Sequence, residues 1–466
     1  IDFFDVAAGA IFVDGMREVL TGFDAPGWLV GVLATGIGGG IQTLATFIPP
    51  IGFMFLALAV LEGSGYMARA AFVMDRFMRM LGLPGKSFVP LLVGFGCNVP
   101  AIMATRTLEN QRDRTLTIMM NPFMSCGARL PVYALFAAAF FPVGGQNMVF
   151  MLYLAGIGFA VLTGLILKHT LLQGNITPFV MELPPYHVPT LKSVLLRTWD
   201  RLKSFLLKAT RVLVPMVALL ALLNTMSFDG SIGHDDSADS LLASVSRTVT
   251  PVFRPMGISQ ENWPATVGIF TGVFAKEAVV GTLDAIYLQN ETQAEMAAGT
   301  AAEAFSLSSA LREAVATIPD NLSGVADSLT DPLGLNIGDT SSAETAAEQL
   351  AVSAGTFGAM GKLFDGKAGA IAYLLFILMY FPCVAAMAAV YRETNKRWTL
   401  FIAAWTTGLA YVSATSFYQL ATFAEHPTFS AIWLTACVLF CGLVVLLMRV
   451  LGKESRRGGT GVPVKV

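Results

Sequence analysis

Five stretches of the chain, residues 25–61, 130–167, 368–391, 398–424 and 427–448, contain no Asp, Glu, Lys or Arg. The shortest has 22 residues and the longest 38, and about 20 apolar residues suffice to cross the hydrocarbon core of a bilayer. Such a chain is expected to be a polytopic membrane protein. Composition agrees: 55% of the residues are hydrophobic and 13% charged, where a soluble domain is about a quarter charged. No basic domain exists to neutralise phosphates, which argues against nucleic acid as a partner.

Apolar spans are expected at 28–61, 115–141, 149–167, 205–224, 263–283, 369–391, 399–421 and 429–449, with a shorter piece at 88–105. Basic residues cluster after the first span (Arg69, Arg76, Arg79, Lys86), after the short piece (Arg106, Arg112, Arg114), between Lys168 and Arg211, at Arg392 to Arg397, and near the end. The connections 142–148 and 422–428 hold no Lys or Arg, so the positive-inside rule places the basic set in the cytoplasm. The short piece, flanked by Lys86 and Arg106 and broken by Gly94, Gly96 and Pro100, then reads as a re-entrant hairpin. Unwound backbone at such depth is tolerated only where it is packed in protein or lines a wet cavity.

The formal net charge of −2 hides a segregation: residues 285–366 carry a net −9 and the rest a net +7. The expected organisation is an amphipathic segment at 1–27, a first membrane unit at 28–168, a basic cytoplasmic connection at 169–204, helices opening a second unit at 205–284, a solvated acidic insertion at 285–366, the rest of the second unit at 367–449, and a basic tail at 450–466. The acidic N-terminus shows no cleavable signal peptide, and its Ile start suggests a preceding segment.

Further breaks stand at Gly36 to Gly40, Asn121-Pro122, Gly127 to Pro131 and Phe381-Pro382-Cys383. A weak repeat aligns CNVPAIMATR (97–106) with CVAAMAAVYR (383–392), and Glu62 with Glu277. On this reading the basic turns give both units one orientation and a cytoplasmic insertion; inverted units, frequent in transporters, would place the insertion in the periplasm. Cysteine beside a helix break offers a thiolate together with free carbonyls, a mixed set that suits a late first-row divalent ion better than Mg2+ or Ca2+. Cys97, Cys126 and Cys383 are the candidates, although a membrane cysteine is more often a small apolar filler. Cys437 and Cys441, on an unbroken helix, keep that plain reading. Glu277, inside apolar sequence, is the candidate carboxylate, with Lys276 or Arg129 as counter-charge; a structural ion pair is the alternative. No HExxH, GxSxG or phosphate-loop pattern is present.

The segments GFGCNVPAIMATRTLENQRDR, NPFMSCGARLPVYALFAAAFFP, PFVMELPPYHVPTLK, FAKEAVVGTL and FPCVAAMAAVYRETNKRWT together resemble the bacterial ferrous iron transport protein B family, in order and over nearly the whole chain. The resemblance implies an all-α, multi-pass protein of the bacterial inner membrane with two Gate-type repeats, broken helices and at least one re-entrant hairpin. It implies Fe2+ as the transported ion, with Cys97, Cys126, Cys383 and Glu277 at the Gate positions, converging near the midplane. GTP and Mg2+ would belong to an N-terminal G-protein domain absent here, so this chain itself would not be an enzyme. Expected partners are the lipid bilayer, small cytoplasmic accessory proteins of the same uptake system and further copies of the chain. A nucleoside or other small-solute carrier is the alternative, and a membrane thiol redox enzyme a more distant one.

Overall fold

A computed structural model describes residues 2–142, 144–174, 185–225, 240–292, 307–323 and 354–457. Much of the acidic insertion (293–306 and 324–353) and the end of the basic tail therefore lie outside the described residues. Those described form helices and turns, with an isolated bridge between Ile258 and Phe364 and no β-strand. Among the described residues seven helical stretches are long and apolar enough to cross a membrane: Gly31–Gly63, Gln111–Phe140, Gly145–His169, Leu191–Leu222, Gly366–Glu393, Lys396–Ala421 and Pro427–Gly452. Each corresponds to an expected span.

The eighth expected span, 263–283, is not one helix. Helix Trp263–Phe274 ends at an extended Ala275, Lys276 and Glu277 form a bend, and Ala278–Thr292 returns alongside. The Tyr287 hydroxyl donates to Asn262 Oδ1 at 2.7 Å, closing the hairpin at its base. Neither Gly nor Pro lies within 275–277. Instead Lys276 reaches out of its own helix to the Phe381 carbonyl, 3.2 Å away, a tertiary cause that hydropathy along the chain cannot register.

Eight helices frame the centre: α1 (Phe88–Gly94), α2 (Asn98–Ala104), α3 (Gln111–Met120), α4 (Leu130–Phe140), α5 (Trp263–Phe274), α6 (Ala278–Thr292), α7 (Gly366–Met379) and α8 (Val384–Glu393). They fall into two units, each a short helix pair (α1/α2, α5/α6) followed by a long interrupted stretch (α3/α4, α7/α8). The two interrupted stretches are the most enclosed of the seven, with 61% and 67% of their apolar windows buried against 11% for Pro427–Gly452. That last helix shows Ile432, Val438, Leu439, Leu443 and Leu446 outward, as a lipid-facing surface does.

Side-chain contacts assign the two ends of the bundle. Lys86 pairs with Glu109 across the base of α1/α2 at 3.4 Å. Arg106 and Arg114 both pair with Glu393 at the end of α8, Arg112 donates to the carbonyls of Gly82 and Leu172, and Lys168 donates to Met80 O. The basic turns thus meet at one end. At the other, Tyr418 bonds Asp365 at 2.5 Å, Gln419 bonds Pro255 O and Ser430, and Phe136, Phe140, Phe364 and Tyr373 form an aromatic cluster joining α4 to α7. The base of α5/α6 lies here, because Ile258 bridges to Phe364 and Thr356 donates to Asp284.

The helix pairs therefore open toward opposite ends, and α3/α4 and α7/α8 run in opposite directions. This revises the repeat read from the sequence. By element order the break carrying Cys97 corresponds to the one carrying Glu277, and the break carrying Cys126 to the one carrying Cys383. Glu62 is no counterpart of Glu277: it sits at the basic end and pairs with Arg201 at 2.7 Å. Local identity around two cysteines pointed to a same-direction repeat because two residues that cap a helix start after a break look alike whichever way the unit faces.

Packing within the second unit relies on small residues, since lipid supplies no hydrophobic drive for helices to associate. Gly272 on α5 faces α7 so closely that a Cβ would lie 2.3 Å from the Tyr380 hydroxyl, which in turn donates to Ile269 O. Tyr373 donates to Ala265 O one turn up the same groove.

Candidate metal site

Every site residue expected from the sequence lies in a helix break. Cys97 follows the Phe95-Gly96 turn with extended backbone (φ −155, ψ 131) and caps the start of α2. Cys126 is extended (φ −78, ψ 159) before the short turn Gly127–Arg129. Cys383 (φ −55, ψ 150) caps α8 after Pro382. Glu277 stands in the α5/α6 bend. The local causes are clear for three of the four: Gly94 and Gly96 relax α1, Pro122 and Pro131 bracket the second break, and Pro382 forces extended backbone on the residue before it. A helix start presents free N–H groups to its cap and leaves the preceding carbonyls unpaired, so each break combines a side chain with exposed backbone dipoles.

The breaks face one another. The Gly127 N–H donates to Gly96 O at 3.3 Å, joining the first two, and Lys276 joins the third to the fourth through Phe381 O. Cys97 lies within electrostatic range of Cys126, Cys383 and Glu277, as Cys383 does of Cys126, Lys276 and Glu277. The four are thus brought to one region. They do not form a closed coordination sphere: among the described residues no three His, Cys, Asp or Glu side chains are close enough to hold a metal ion.

The two buried cations hold backbone carbonyls and make no ion pair with Glu277 among the described residues. Arg129, 1% exposed, donates to Pro122 O at 3.0 Å and Met124 O at 3.3 Å. Lys276, 3% exposed, has its Nζ on Phe381 O and 3.2 Å from the centroid of the Tyr380 ring. Each charge costs about 2.5–3.5 kcal/mol at membrane depth on insertion scales, and each offsets part of that by satisfying a break. Glu277 is left otherwise: its Oε1 is buried without a hydrogen-bond partner. An unpaired buried carboxylate oxygen costs several kcal/mol unless something positive meets it.

Comparison with known proteins bears on this arrangement. A family model described as "Nucleoside recognition" matches residues 44–140 and 206–397, the segments that contain both helix pairs and both interrupted stretches. A second, "Ferrous iron transport protein B C terminus", matches 149–201. The chain belongs to the ferrous iron transport protein B family. Members include the Fe(2+) transporter FeoB of Legionella pneumophila (strain Lens), 48% identical over 451 residues, which make up 96% of this chain and 58% of that protein. The transporter of the same name from Salmonella paratyphi A is 47% identical over 450 residues, 96% of this chain and 56% of that protein. The chain thus spans a little over half the length of these relatives. No solved structure matches it.

Two residues of consequence escaped the sequence reading. Glu393 falls within the basic cluster Arg392 to Arg397 and was not singled out, yet its side chain is 1% exposed. Asn121 was read only as half of an Asn-Pro break; its signal was a carboxamide placed directly ahead of that proline inside an apolar run.

Proposed function

We propose that the chain forms the membrane pathway through which Fe2+ crosses the bacterial inner membrane into the cytoplasm. The observation that carries this reading is the meeting of four helix breaks bearing three thiols and a carboxylate with a free oxygen, in a chain whose relatives are named Fe(2+) transporters. Few, mixed and separated ligands suit transport, because an ion low in the Irving–Williams order must be held strongly enough to shed water and weakly enough to leave. The ligands act in succession: Cys97 and Cys126 from the first unit, Cys383 and Glu277 from the second. GTP and Mg2+ have no assigned residue in this chain and would act through another domain of the whole protein, to which accessory partners would also answer. The nucleoside carrier is disfavoured, since the centre is built from thiols and buried charges already engaged with carbonyls.

Fe2+ uptake into vesicles by the whole protein tests the reading. Cys97→Ala is expected to reduce uptake about tenfold with membrane insertion unchanged, and normal uptake would make this thiol a packing residue. The topology is testable separately. With the basic end inside, the base of α5/α6 and the flanks of the acidic insertion face the periplasm. A cysteine placed at Asp365 should react with an impermeant maleimide added outside intact cells, and one placed at Lys86 should not. The reverse pattern would overturn the orientation.

A further inference from the structure

Asn121 opens the break between α3 and α4, is fully buried (0% exposed), and has neither carboxamide atom hydrogen-bonded. Buried amides are almost always paired, so one with both atoms free calls for an explanation. Its surroundings show where it points. A Cβ at Gly94 would lie 2.4 Å from Asn121 Oδ1, so the carboxamide rests on the backbone just ahead of the Cys97 break, in space that exists only because residue 94 is glycine.

Neighbouring groups are occupied. With its carboxamide turned so that nitrogen rather than oxygen faces these acceptors, Asn98 donates to Gly94 O at 3.1 Å and to Asn121 O at 3.2 Å. Gly96 O accepts from Gly127, and Pro122 O and Met124 O accept from Arg129. Among the described residues the Asn121 carboxamide is left free at both its atoms, beside the single free Nε of Arg129, much as Glu277 Oε1 remains free in the second unit. Packing alone does not account for it, because an apolar residue of similar volume would fill the same space without burying two polar atoms.

We propose that Asn121 is a binding residue of the ion pathway, its carboxamide supplying a neutral oxygen to a divalent cation, or to a water the cation carries, as it passes between Cys126 and Cys97. The inference rests on the proposed iron transport and adds a determinant of ion choice. Thiols alone favour soft ions such as Zn2+ and Cu+; an oxygen donor beside them shifts preference toward harder Fe2+ and Mn2+.

The test is anaerobic titration of the whole protein in lipid nanodiscs with Fe2+ and, separately, Zn2+. Asn121→Leu is expected to weaken Fe2+ binding tenfold or more and Zn2+ binding less than threefold, and Asn121→Asp to bind Fe2+ at least as tightly as the unaltered protein. Equal affinities in Asn121→Leu and the unaltered protein, or equal losses for both metals without recovery in Asn121→Asp, would overturn the proposal and leave iron transport standing. If Asn121→Leu does not fold, the Fe2+ to Zn2+ preference of Asn121→Asp decides: a rise supports the assignment and no change refutes it. An unaltered protein that binds no Fe2+ would instead overturn the transport reading, and this one with it.

Discussion

Replacing Glu277 by Gln is expected to lower Fe2+ uptake about 30-fold with little change in folding. At an effective dielectric near 20, charges of −1 and +2 about 5 Å apart attract by about 6–7 kcal/mol before desolvation is counted. Gln keeps an oxygen of similar reach, and desolvating the carboxylate already opposes binding, so a net loss of about 2 kcal/mol is a reasonable remainder, equivalent to about 30-fold in rate. The free Oε1 of Glu277 is what makes this substitution more telling than the cysteine changes: that oxygen has no hydrogen bond to lose, and a Gln side-chain oxygen can still accept from the backbone N–H that the carboxylate uses, so stability should hold. Uptake kinetics together with a melting curve in detergent check it. A variant with unaltered uptake would remove Glu277 from the pathway, and one that loses uptake and melting temperature together would show the carboxylate to be structural.

Loss of Glu393 is expected to act on stability. Its carboxylate joins Arg106, at 2.5 Å, and Arg114, tying the end of α8 to the residues that follow α2 and begin α3. Glu393 is enclosed, but the Arg106 side chain is 56% exposed and Arg114 22%, so Arg106 can return to water when the acid is removed and Arg114 only in part. Glu393→Ala should therefore destabilise by about 2–3 kcal/mol, less than the 3–5 kcal/mol typical of stranding a fully buried charge. Arg106→Ala should cost under about 1 kcal/mol. A double-mutant cycle read by thermal melting would measure the coupling; a coupling near zero for both arginines would reduce Glu393 to a bystander. The same contact is the polar tie between the two units at the basic end, as the cluster of Phe136, Phe364 and Tyr373 is the apolar tie at the other.

Much of the centre was legible in the chain because the expense of polar groups in apolar sequence makes them conspicuous. Cys97, Cys126, Cys383 and Glu277 were picked out by their place beside Gly, Pro or charge, and all four stand in breaks. The partners of the charges were not legible. Lys276 and Arg129 were natural counter-charges for Glu277, yet each turns to carbonyls of another break or its own, because an unpaired peptide carbonyl in an apolar interior needs a donor as badly as a carboxylate does.

Composition and local pattern along the chain were enough for the medium and most of the list: a membrane protein, seven of its crossings and the breaks at 94–100, 121–131 and 381–383, all properties of short windows in which hydropathy, Gly and Pro are decisive; the break expected at Gly36 to Gly40 is instead continuous helix with a π turn. That 263–283 turns back, that the two units face opposite ends, and that Asn121 and Glu277 are left with free atoms emerged from the folded arrangement. These depend on contacts far apart in the chain, such as Tyr287 with Asn262 across 25 residues and Arg106 with Glu393 across 287. Such contacts are set by segments remote in the chain, which no short window of sequence contains.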